Sequence, residues 1–164
     1  GPGSFIGIRI GASVAQGLAY GAGKLIVPVS SLAAVALEAM ELDNVDRVVV
    51  LQDAHMHEVY FGVFERGSDE LPVRLGEEKI VAADYAIQVD GNFVVAGAGW
   101  QRYPDAKMIN ESSIAAESQV LYPRASCVLR LGVKALTEGA AILPELLNPT
   151  YLRSKVANRL TKTS

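Results

Sequence analysis

Gly1-Pro2-Gly3-Ser4-Phe5-Ile6-Gly7-Ile8-Arg9-Ile10-Gly11-Ala12-Ser13-Val14-Ala15-Gln16-Gly17-Leu18-Ala19 reads as a glycine-rich turn that runs straight into a helix. Ile10, Val14 and Leu18 recur at helical spacing, and Gly21 with Gly23 stops the run. Gly7, Gly11, Ala15 and Ala19 form a second line, small at every fourth position. Glycine inside a helix costs about 1 kcal/mol relative to alanine, so Gly11 and Gly17 are expensive placements. A line of small residues lets another backbone approach closely, which offsets that cost. The pattern therefore predicts a helix with a close neighbour. The turn ahead of it gathers backbone amides at a helix start, making Gly1, Gly3 and Ser4 a candidate anion-binding loop.

Working outward, Leu25-Ile26-Val27 reads as a short strand closed by Pro28, and Ser30 or Ser31 caps a helix to about Met40. Asp43-Asn44 is a turn. Val48-Val49-Val50-Leu51 is a β-branched strand, followed by a second strand from Val59 to Phe64 and a third from Val73 to Ile80. A short helix is expected from Ala83, a strand from Phe93 to Ala96, and a loop at Gly97-Ala98-Gly99-Trp100. Residues 101–122 read as irregular, Pro123 opens a helix to about Thr137, and Pro144 and Pro149 extend the tail. The order is α/β, in two parts, residues 1–43 and 44–164. The first part is too short to close a sheet of its own.

Composition narrows the function classes. Half of the 164 residues are hydrophobic and the net charge is −3, which supports a core and gives no global basic field for nucleic acid. No apolar run reaches the roughly 20 residues of a membrane span, so no membrane contact is expected. The single cysteine, Cys127, leaves no intrachain disulfide and fits a reducing compartment, so the expected location is cytoplasmic. Gly23-Lys24 is not a P-loop, because Leu18 stands where its first glycine belongs and Leu25 where Ser or Thr belongs. His55 and His57 would share one face of a strand, yet no third ligand completes a metal site. Both histidines lie in one segment, which yields no Ser-His-Asp order. Arg153, Lys155, Arg159 and Lys162 follow Tyr151-Leu152 without an acidic residue and read as a solvated tail. No catalytic residue, metal or cofactor is assigned.

The opening stretch resembles the signature of the bacterial TsaB (YeaZ) family, which usually reads GPGSFTG-[LV]-RIG. Val29-Ser30-Ser31-Leu32, Asp53-Ala54 with Glu58-Val59-Tyr60, Gly97-Ala98-Gly99-Trp100 and Pro149-Thr150-Tyr151-Leu152-Arg153 match further motifs in order. Ile6 replaces the usual Thr, and His55 and His57 replace the usual Arg and Gly beside Asp53. The resemblance implies an actin-like (ribonuclease-H-like) fold of two lobes. It also implies a non-catalytic subunit that pairs with a TsaD-type catalytic subunit and a TsaE-type ATPase in threonylcarbamoylation of a tRNA adenosine, touching tRNA only indirectly. Pairing would use the helix after Gly7, with Arg9, Ala12, Ala15, Gln16 and Ala19 as its interface. Family members carry an opening segment before this signature. The first lobe is therefore expected not to close alone, exposing apolar faces of the helices at 8–20 and 31–40. The rival readings are a metalloprotease-like or ATP-hydrolysing enzyme and a self-associating homodimer.

Overall fold

The computed structural model describes residues 1–152. Its centre is β1 (Arg47–Asp53), where Val48, Val49, Val50 and Leu51 are buried on both faces. A run of β-branched residues suits a strand covered on both sides. Burying each such side chain contributes roughly 1.5–3 kcal/mol. Around it form β2 (Glu58–Arg66), β3 (Pro72–Ala82), β4 (Phe93–Ala96) and β5 (Ile114–Glu117), in the order β3-β2-β1-β4-β5. The β1–β2 and β2–β3 pairs are antiparallel, whereas β4 runs parallel to β1 and β5 parallel to β4.

Period-two alternation divides the core. Val48 and Val50 face α2 (Ser31–Asp43), packing with Leu32, Val35, Ala36, Ala39 and Met40. Val49 and Leu51 face the opposite layer, with Phe61, Phe93, Val95 and Trp100. Ser30 caps α2, its Oγ accepting from the amides of Leu32 and Ala33, both at 3.1 Å. Outside α2 lies α5 (Ala125–Thr137), joined through Ala34, Leu37, Cys127 and Leu131.

The expected exposure of two helices divides. In α1 (Phe5–Ala22) no residue is buried. The apolar side chains of α2 from Leu32 to Met40 are instead nearly all buried, because the sheet covers one flank and α5 another. The boundary expected at residue 43 passes through this shared α2–sheet cluster. Leu25-Ile26-Val27 makes one bridge only, Ile26 with Ile142, its backbone bonds being 2.9 and 2.8 Å.

Three local expectations differ. No helix starts at Ala83; Asn110 holds that segment by accepting from the Ile87 amide at 2.8 Å and donating to the Tyr85 carbonyl at 3.0 Å. Gly99–Arg102 forms a short helix, α3, rather than a loop. Residues 101–122 are ordered, with α4 (Pro104–Asn110) and strand β5. Pro104 stands in the first turn of α4, where its missing amide hydrogen costs nothing.

Gly97 makes the return from β4 feasible. Its φ is +98°, and a Cβ there would lie 2.2 Å from the Leu51 carbonyl oxygen. This close approach drops Trp100 into the core, where it is 1% exposed and its indole Nε1 donates to the Val49 carbonyl at 3.2 Å.

Candidate functional site

Three stretches far apart in sequence converge: the glycine-rich opening, the turn between β1 and β2, and residues 150–152. Together they line a cavity of about 260 Å³, walled by Phe5, Ile8, Met56, Tyr60, Tyr151 and Leu152. Hydrogen bonds hold the walls. The Tyr60 hydroxyl donates to the Gly3 carbonyl at 2.8 Å, and the Arg9 Nε donates to the Tyr151 hydroxyl at 3.0 Å. The Arg9 guanidinium also stacks 3.7 Å above the Phe5 ring.

The opening loop is held mainly through its carbonyls. The Gly1 carbonyl accepts from the Ser31 amide at 2.9 Å, and the Pro2 carbonyl accepts from the Ser31 hydroxyl. Ser4 is the N-cap of α1, its Oγ accepting from the Gly7 amide at 3.1 Å. The candidate anion loop of Gly1, Gly3 and Ser4 thus stands at the start of α1, with its Ser4 hydroxyl already serving that helix.

The β1–β2 turn is backbone-strained. His55, Met56 and His57 all have φ between +55° and +60°, a left-handed run that side-chain-bearing residues seldom adopt. Asp53 anchors it, accepting from the His55 amide at 2.8 Å and from the Tyr103 hydroxyl at 2.7 Å. Burial works to raise the Asp53 carboxyl, but the Tyr103 and His55 hydrogen bonds and the nearby positive charge of Arg102 hold it below its ordinary value. Tyr103, donating to that carboxylate, has its hydroxyl pushed above the usual tyrosine range. The His57 ring meets Tyr103 edge-on, with centroids 5.1 Å apart. Nothing in the sequence linked Tyr103 to Asp53, since 50 residues separate them. Among the described residues, no group of three or more His, Cys, Asp or Glu is placed to hold a metal ion.

The other candidate region is α1. Ala12, Ala15, Gln16 and Ala19 are half-buried. The flank they share adjoins the chain's own 144–147 segment, where the Gln16 amide donates to the Pro144 carbonyl at 2.9 Å and the Leu147 carbonyl at 3.4 Å. Arg9 is exposed but tied to Tyr151. The opposite flank carries Ile6, Ile10, Val14 and Leu18, at 68, 60, 56 and 70% exposure. Gly11, Gly17 and Gly21 lie open between them, a Cβ on any of the three meeting nothing within 4 Å. Among the described residues no helix is long and apolar enough to cross a membrane.

The family model for TsaD, a tRNA N6-adenosine threonylcarbamoyltransferase, matches residues 1–159. The tRNA threonylcarbamoyladenosine biosynthesis protein TsaB of Escherichia coli K12 is 37% identical, over 96% of this chain and 69% of that protein. TsaB of Haemophilus influenzae is 35% identical, over 95% of this chain and 68% of that one. Among solved structures, a Pseudomonas aeruginosa protein described as similar to the peptidase YeaZ superposes with a TM-score of 0.84 at 30% identity, covering 93% of this chain and 70% of that chain. YeaZ from Pseudomonas aeruginosa gives 0.81 at 29% identity, covering 92% and 71%. The mixed five-stranded sheet, the likeness to YeaZ and these identities lead to one conclusion: the chain belongs to the TsaB (YeaZ) family and carries its actin-like, TsaD-type fold.

Proposed function

We propose that this chain is a non-catalytic subunit that pairs with a TsaD-type catalytic subunit, acting with a TsaE-type ATPase in the threonylcarbamoylation of tRNA adenosine in the cytoplasm. The observation that carries the pairing is the outward flank of α1. Ile6, Ile10, Val14 and Leu18 form an apolar ridge, each more than half exposed, interleaved with glycines that no part of the chain approaches. A contiguous apolar surface of this kind marks an interaction site. Open glycines suit the close approach of a second helix, whose ridges settle into the grooves they leave.

This moves the proposed interface. Ala12, Ala15, Gln16 and Ala19 sit on the flank that meets the 144–147 segment, so the pairing residues become Ile6, Ile10, Val14, Gly17 and Leu18. The domain division moves as well. Helix α2 shares its core with the sheet, so the second lobe starts near Ser30 and the first keeps α1 and the Ile26 segment.

The test is reconstituted tRNA modification with a TsaD-type subunit, a TsaE-type subunit and donor, with and without this chain, beside a binding titration. Modification that depends on this chain, and is lost in Val14→Asp with the fold intact, supports the reading. Self-association through the same ridge, with no affinity for the TsaD-type subunit, would replace it with a homodimer. Peptide hydrolysis by the chain alone would restore the peptidase reading carried by the description of its structural neighbour.

A further inference from the structure

The cavity of about 260 Å³ between the opening stretch, the β1–β2 turn and residues 150–152 has no part in the pairing described above. Its floor is apolar, with Ala54 and Tyr60 buried and Ile8 and Leu152 half-buried. Phe5, Met56 and Tyr151 stand exposed at its rim. Two destabilising features coincide here. An unfilled apolar space lowers stability in proportion to its volume, because the lining atoms lose packing partners. The turn closing one side, His55-Met56-His57, holds three successive residues in the left-handed region. Strain of that kind persists where the surrounding fold enforces it, and it gathers at ligand-binding sites. An apolar hollow with fixed walls and a few polar groups at its mouth is the usual form of a small-molecule site.

Size and charge define what fits. An apolar cavity of about 150 Å³ takes one benzene ring, so this one takes a ring with a short arm. The aromatic walls, Phe5, Tyr60 and Tyr151, suit a flat ring. Arg9 spans two of them: its guanidinium lies 3.7 Å over Phe5, and its Nε donates to the Tyr151 hydroxyl at 3.0 Å. Among the described residues its Nη1 and Nη2 make no hydrogen bond, which leaves an edge of the planar fork for a carboxylate. The N-terminal end of α1 lies at the same rim and favours an anion. The described residues that line the cavity include no carboxylate to oppose one. A cationic ligand would meet Arg9 as a like charge.

We propose that this cavity binds a small aromatic monocarboxylate, its ring held among Phe5, Ile8, Tyr60 and Tyr151 and its carboxylate on the free edge of Arg9. A purely apolar ligand would leave the Arg9 fork unmet, and an inorganic anion would leave the cavity unfilled. Ile6, Ile10, Val14 and Leu18 lie outside the cavity lining, so the site stands apart from the pairing reading and does not rest on it.

The experiment titrates the full chain with phenylacetate by isothermal calorimetry, beside toluene, which has the ring alone, and acetate, which has the carboxylate alone. Phenylacetate is expected to bind saturably at one site, about tenfold more tightly than either part. Arg9→Gln should weaken phenylacetate about tenfold, the scale of a lost hydrogen bond between charged groups, and leave toluene unchanged. That pair of readouts separates loss of one contact from collapse of the rim. Ala54→Leu should abolish binding of both ring compounds by filling the floor. Ile8→Phe, on α1, fills the same space and takes its place if circular dichroism shows that Ala54→Leu does not fold. Absence of saturable phenylacetate binding, binding that survives a folded cavity-filling variant, or equal weakening of toluene and phenylacetate by Arg9→Gln would each overturn the proposal. A chain that pairs with the TsaD-type subunit yet binds no phenylacetate removes this inference alone, whereas phenylacetate binding without pairing removes the pairing reading.

Discussion

Gly17→Ala sets the free chain and its complex against each other. Gly17 lies inside α1, is exposed, and a Cβ built on it meets nothing within 4 Å. The added methyl therefore meets no obstruction in the chain alone. Alanine in a helix interior is about 1 kcal/mol more favourable than glycine, so the free helix should be steadied by that amount. Since about 1.4 kcal/mol is a tenfold change in an equilibrium, the amides of α1 should exchange with solvent about fivefold more slowly. In the proposed complex the same methyl would enter the helix–helix contact. Overpacking there costs roughly 1–3 kcal/mol, which weakens pairing with the TsaD-type subunit about 5- to 150-fold. Hydrogen–deuterium exchange on the free chain and a binding titration read the two effects separately. Slower exchange with unchanged pairing would refute close approach at Gly17. Faster exchange would show that the outward flank is not open as described.

Three further outcomes follow from the local geometry. His57→Gly should raise stability by up to about 1 kcal/mol, since a left-handed conformation costs a side-chain-bearing residue roughly 1–2 kcal/mol and glycine returns part of that as chain entropy. A melting temperature raised by a few degrees in calorimetry checks it, and a fall would mean that the His57–Tyr103 contact outweighs the strain. Gly97→Ala should cost on the order of 3–5 kcal/mol, because its Cβ would stand 2.2 Å from the Leu51 carbonyl oxygen at a φ of +98°; urea denaturation measures the loss. Asp53 has a carboxyl pKa below its ordinary value in the folded chain, so its contribution is present above the unfolded pKa and lost as pH falls through the folded one. The stability difference between the parent and Asp53→Asn should therefore shrink in acid below the normal aspartate range. A difference that stays constant with pH would assign Asp53 a purely neutral hydrogen-bonding role.

Much of the fold is legible in the residues themselves. Four consecutive β-branched or leucine residues at 48–51, bounded by turns, announce a strand, while its central place and its burial on both faces come from the fold. Ser30 and Ser31 announce the start of α2, and the structure gives the cap to Ser30, whose side-chain oxygen meets amides that have no helical partner. Residues 101–122 read as irregular because Pro104 and the serines mask a short helix and a four-residue edge strand, whose stability comes from β4 and not from local preference. The glycine-rich signature, the family motifs and the isolated cysteine are likewise properties of local chemistry, readable without coordinates.

Which flank of α1 faces outward was beyond the sequence. Gly7, Gly11, Ala15 and Ala19 form one stripe by spacing, yet that stripe drifts around the helix as it climbs. Only the docking of the 144–147 segment through Gln16 fixes where inside ends and outside begins. The meeting of Phe5, Arg9 and Tyr151, and of Asp53 with Tyr103, is equally a product of tertiary structure. Helical and strand periods are set by bond rotations within a few residues and are written locally in the chain. Contacts between groups 50 or 142 residues apart depend on how whole elements pack, and no local pattern encodes that.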